Sequence, residues 1–132
     1  MQGASALQEV LSKSNLPLSV FVVWEPVLAM DIRSPVSRTL ARIWDGRAKQ
    51  FWDKDRLIAI ELNKAADSSG SNAVPERHVP RRGGLVWDAV AIFSAGKKWA
   101  DTMPQPDYLG GAVAAVTDEV RARLAKPDLE TR

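Results

Sequence analysis

Five tryptophans stand in this chain of 132 residues, and four are followed at once by an acid: Trp24-Glu25, Trp44-Asp45, Trp52-Asp53 and Trp87-Asp88. The spacings of 20, 8 and 35 residues are irregular, so they are not the blades of a WD propeller. A carboxylate beside a large ring can exchange protons or hold a polar ligand once a second carboxylate or a cation is brought to it. Asp31 and Arg33 follow the first pair closely, and Arg77, His78, Arg81 and Arg82 make ERHVPRR the densest positive run. Clustered guanidinium groups suit phosphate or an acidic partner. Each feature also has a simpler reading. The tryptophans can be core aromatics at the ends of elements, with Asp45 and Asp53 turning or capping the chain. The basic run can be a solvated loop. His78 needs a geometric partner before it can act as a base.

Composition removes several chemistries outright. There is no cysteine, so no disulfide, thiolate metal site, iron–sulfur ligation or cysteine nucleophile exists. One histidine excludes a two-histidine metal site within the chain. No D-x-D-x-D-G run is present for calcium, and Gly83-Gly84 and Gly110-Gly111 lack phosphate-loop spacing. No metal and no cofactor is therefore expected. The net charge of +2 falls far short of a dedicated nucleic-acid binder. With 45% apolar and 26% charged residues, the chain has average globular usage and the size of a single domain, 1–132. The most apolar stretch, Leu16 to Met30, is interrupted by Pro17, Glu25 and Pro26 and is too short to span a bilayer. No targeting segment is read in Met1 to Lys13, so the expectation is a soluble, cytoplasmic protein; a signal peptide already removed would leave the same sequence.

The elements that must position these residues follow from periodicity. Ser5 and Gln8 have capping-box spacing, with Leu7, Val10 and Leu11 on one helical face. Leu18 to Trp24 (LSVFVVW) reads as a strand buried on both faces. Ser34-Pro35 reads as the cap and first residue of a helix carrying Val36, Leu40, Ile43 and Trp44. Ala48 to Trp52 is a short strand, and Asp53 caps a segment to about Lys64 that fits both helical and strand periods. Residues 66–84 form a long flexible loop. Leu85 to Phe93 is a strand, Ser94-Ala95-Gly96 a hairpin connection, and Lys97 to Trp99 the returning strand. Lys97 and Lys98 would guard its edge. Val113, Val116, Val120 and Leu124 form one stripe of a last helix ended by Pro127. Two strands joined by a helix are expected to be parallel. The last two strands form a hairpin covered by the final helix, giving a four-stranded mixed sheet with helices on both faces.

That order, over residues 4 to 125, resembles the thioredoxin-like fold. FVVW runs into a loop and a helix opened by Pro35, where thioredoxins carry their redox loop. VAIFSAGKKW is similar to the third and fourth strands with their glycine-containing turn. WEPVL, FWDKDRL and VWDAVAIF together resemble a group of uncharacterised bacterial thioredoxin-like proteins. The Cys-x-x-Cys would fall within Trp24 to Ser34 and is not there, nor is a proline near Trp87-Asp88 where the cis-proline would stand. Thiol–disulfide exchange needs a thiolate, so that activity is excluded. The resemblance implies a fold and no function. It also implies that Glu25, Asp31 and Arg33 approach Asp88 at one sheet edge, with His78, Arg81 and Arg82 nearby.

These readings point to a non-catalytic binding or protein-interaction module. Its contact surface would be that edge, Trp24, Glu25, Pro26, Trp87 and Asp88, meeting an unidentified protein or peptide. A homodimer is one candidate assembly. The rivals are a small-molecule binder or enzyme using Glu25, Asp31, Arg33 and Asp88 in a pocket, and a structural subunit. A concave pocket with converging carboxylates would favour the enzyme, and a flat exposed aromatic patch the module.

Overall fold

The run of valines before Pro26 forms strand β1, Val20–Trp24, and the run before Asp53 forms β2, Ala48–Trp52. In the computed structural model, which describes residues 2–26, 33–68 and 79–125, these strands are parallel, with Val20 level with Ala48 and Trp24 level with Trp52. The parallel unit expected from the sequence is present. Its helical crossover is not as expected. Helix α2 is a single turn, Ser37–Leu40, preceded by an extended Val36 with no side-chain cap, so Ser34-Pro35 does not open it. The reason lies in the backbone groups. The Leu40 and Ile43 carbonyls accept from the Gln50 amide, and the Trp44 and Asp45 N–H groups donate to Gln8 Oε1. Groups that would extend a helix are satisfied by side chains instead. Ile43 is buried, whereas Trp44 is 74% exposed.

Helix α1 spans Gln2–Ser12 and buries Val10 and Leu11. Ser5 lies inside it, so no capping box forms, and Gln8 becomes the buried acceptor for the Trp44–Asp45 turn. Arg47 ties the same turn to the end of α1. Its guanidinium grips Asp45 through two bonds and donates to the carbonyls of Leu11 and Leu16. Those bonds hold the Asp45 carboxyl down at about 2, chiefly through the Arg47 side chain.

The segment with two competing periods is helical. Helix α3, Leu57–Ser68, follows Arg56 at φ 56°, and Asp53 caps it from a turn further back than a regular N-cap position, its Oδ2 accepting from the Ile58 N–H at 2.8 Å. The helix runs past Lys64 to Ser68, residues 69–78 of the expected loop lie outside the described residues, and its far end is a strand and a turn. Strands β3, Arg81–Arg82, and β4, Leu85–Val86, form an antiparallel hairpin across Gly83-Gly84. Both glycines have positive φ, as a two-residue turn of this hand requires. The Asn63 amide on α3 pins the hairpin, donating to the Gly84 carbonyl at 2.5 Å and accepting from the Val86 N–H at 2.7 Å.

The apolar run Leu85 to Phe93 is not one strand. Asp88, at φ 47°, breaks it, and β5 begins at Ala89 and ends at Ile92. The returning strand is not Lys97 to Trp99 but β6, Tyr108–Gly111, antiparallel to β5 with Ile92 level with Tyr108. Asp107 decides this. Its carboxylate accepts from the Ser94 N–H and hydroxyl and from Lys97 Nζ, closing the connection one residue before the strand pairs. Lys97 is thereby paired, rather than guarding an edge.

A 3-10 turn, Val113–Ala115, leads into α4, Thr117–Ala125. The predicted stripe holds in part, since Val113 sits in the 3-10 turn and Val116 just before the helix, with only Val120 and Leu124 on α4 itself. Val116 and Val120 are buried with Val10 and Tyr108, and Leu124, Val90 and Ile92 pack against them. Gly110 admits the Tyr108 ring, since a Cβ there would stand 2.7 Å from its Cζ. The molecule is thus mixed α/β. Among the described residues its strands form three two-stranded sheets, β1–β2, β3–β4 and β5–β6. No helix among them is long and apolar enough to cross a membrane.

Candidate functional site

Parallel register makes neighbours of two of the Trp-acid pairs. Trp24 and Trp52 close the ladder, so the next residues, Glu25 and Asp53, leave the carboxyl end of the strand pair side by side. The Asp53 N–H donates to the Trp24 carbonyl at 2.7 Å, one step beyond the ladder. Below them Trp24 Nε1 donates to Gln50 Oε1 at 2.9 Å, while the Gln50 amide nitrogen reaches the carbonyls of Leu40 and Ile43. Gln50 therefore fixes both the indole and the crossover turn.

Burial pushes the Glu25 carboxyl up to about 7, the Asp53 carboxylate adds to the rise, and the Arg56 guanidinium opposes it. A carboxyl poised there can take or release a proton near neutrality. Asp53 is committed to the N-terminus of α3 through Ile58. Among the described residues no group of three or more histidine, cysteine or acidic side chains is placed to hold a metal ion.

The other residues singled out in the sequence stand as follows. Pro26 is half-buried beside Glu25, and Arg33 is exposed. Asp31, Arg77 and His78 lie outside the described residues. Asp88 Oδ1 accepts from the Val113 N–H at 3.2 Å, so its carboxylate serves the turn before α4. Among the described residues the charged groups acting on Glu25 are Asp53 and Arg56, and Asp88 and Arg33 are not among them. Trp87 lies under the Arg82 guanidinium at 5.7 Å, and Arg81 pairs with Asp67 at 2.7 Å. Two shallow surface grooves border α1, one toward Leu16 and Arg47, the other between Gln2, Glu9 and Arg42. Neither includes Glu25, Asp53 or Asp88.

The exposed aromatic surface is elsewhere. Along β1 and β2, Phe21, Val23, Lys49 and Phe51 share one face by register. Phe21 is 64% and Phe51 50% exposed, and their rings lie 6.1 Å apart at 36°. β1 is therefore not buried on both faces, as its apolar run suggests. Trp24 and Trp87, expected to offer the contact area, are half-buried. Sequence reasoning missed Arg56, Phe21 and Phe51 as site residues. A signal for the two phenylalanines was present, because Lys49 and Phe51 alternate with Ala48 and Gln50 and mark one side of that strand as partly wet.

Comparison with known protein families, curated proteins and solved structures finds no match.

Proposed function

We propose that this chain is a non-catalytic binding module that engages a protein or peptide through the outer face of β1–β2. The observation that carries the reading is the Phe21–Phe51 pair, two large apolar side chains in contact with each other and open to solvent on a strand pair. Fully burying one such ring is worth about 1.5–3 kcal/mol, so an exposed pair is a ready anchor. As a fold reading we propose a cysteine-free thioredoxin-like domain in which β1–β2 and β5–β6 belong to one four-stranded mixed sheet. It is supported by the parallel first pair, the antiparallel second pair and the helix that follows it.

The test is in-cell crosslinking of the wild-type chain and of a Phe21→Ser/Phe51→Ser variant whose fold is checked by circular dichroism. The wild type should capture a discrete partner that the variant loses. An unchanged set of crosslinks on a folded variant would overturn the reading.

A second reading has one specific observation in its favour. Glu25, raised to about 7 beside Asp53 and Arg56, could bind a polar small molecule at the carboxyl end of β1–β2. A ligand there should lose affinity with Glu25→Gln and be indifferent to the phenylalanine substitutions.

A further inference from the structure

The outer face of β1–β2 is not purely apolar, and its one charge says what kind of partner fits. Lys49 stands directly across from Phe21 in the parallel ladder, on the same face as Val23 and Phe51. It is exposed and makes no hydrogen bond or ion pair with any described residue. The other lysines with described partners, Lys13, Lys64 and Lys97, each reach a carboxylate. The face thus presents two aromatic rings with an uncompensated ammonium beside one of them.

We infer that this face docks an apolar segment of another protein carrying a carboxylate between its apolar side chains. The inference rests on the binding-module reading above and adds the partner's chemistry. Apolar side chains on the segment would cover Phe21, Val23 and Phe51, and its carboxylate would meet Lys49. Burying the rings lowers the local dielectric, so the ammonium then strongly prefers an opposite charge to none. The same charge disfavours a second copy of this chain. A two-fold dimer built on this face with its axis near Lys49 would set that charge against its own mate, and one with the axis elsewhere would bury both ammonium groups without an acidic partner on this face. A segment with lysine or arginine at the same place would suffer the same repulsion.

The experiment uses the full chain labelled with nitrogen-15 and three synthetic eight-residue peptides of alternating leucine and serine. They differ only in a central glutamate, glutamine or lysine. The glutamate peptide should shift the amides of Phe21, Val23, Lys49 and Phe51, and at low salt should bind about fivefold more tightly than the lysine peptide. Lys49→Glu should reverse that order, and Phe51→Ser should weaken all three. Circular dichroism establishes that both variants fold. If the peptides bind this face equally well, the carboxylate preference is overturned while apolar docking stands. If none shifts this face at any concentration reached, apolar docking by short segments fails and the inference falls with it. If sedimentation shows a dimer that Phe51→Ser dissolves, the face belongs to a second copy and the inference is overturned.

Discussion

Asp53 donates its backbone N–H to the carbonyl of Trp24 at 2.7 Å, and this bond makes Asp53 a neighbour of Glu25. The pair follows from parallel register alone. Two strands that both end in Trp-acid, and whose tryptophans are level, must leave their acids side by side. Glu25 is then half-buried next to a carboxylate that is itself held at the start of α3.

This pairing has a pH consequence with a definite sign. The Glu25 carboxyl is raised from 4.5 to about 7 on folding, so between those values the unfolded chain binds fewer protons than the folded one. Its contribution to stability is therefore full below pH 4.5 and is lost as pH rises to about 7. Urea unfolding at steps across that window should show Glu25→Gln with a flatter profile than the wild type, and greater stability at the alkaline end. An identical slope in the two proteins would remove Glu25 as its source.

Gln8 is a buried side chain that accepts from two backbone donors, the N–H groups of Trp44 and Asp45. Replacing it with methionine keeps the volume and leaves both donors without that acceptor. The expected loss is about 2–4 kcal/mol by chemical denaturation. A loss below the effect of a typical surface substitution would mean that water replaces the amide there.

Gly110 and Tyr108 share one face of β6, and the tyrosine ring occupies the space a Gly110 side chain would need. Gly110→Ala should displace a ring that belongs to the core of α1, α4 and β6, costing about 1–3 kcal/mol. Tyrosine fluorescence and the thermal midpoint should move together. Gly46→Ala, where the added methyl would have no atom within 4 Å, serves as the control and should leave both unchanged.

Asn63 holds the β3–β4 hairpin to α3 by both ends of its amide. Asn63→Ala should cost about 1–2 kcal/mol and speed hydrogen exchange at the Val86 amide more than at the amides of β1. Asn63→Asp keeps the acceptor for Val86 but loses the donor to Gly84, so it should protect Val86 better than alanine does. Equal exchange in all three proteins would show that the Gly83-Gly84 turn holds without α3.

The sequence by itself determined the chemistry that is closed to this protein, since no tertiary arrangement supplies a thiolate or a second histidine. It also determined elements whose signal is local. The strand runs ending at Trp24 and Trp52, the Asp53 cap and the stripe Val116, Val120 and Leu124 were legible because each depends on nearby residues, and the parallel pairing was legible because a strand–crossover–strand connection returns the chain in the same direction. Only the tertiary structure decided the rest. α2 stops after one turn because Gln8, far away in sequence, and Gln50, on the strand that follows, take the backbone groups a longer helix would use. β6 starts at Tyr108 because Asp107 closes back on Ser94 and Lys97. A period of two says which residues share a face but not whether anything covers it. That is why Phe21 read as buried in the sequence and stands open in the fold beside Phe51, and why Glu25 meets Asp53 instead of Asp88.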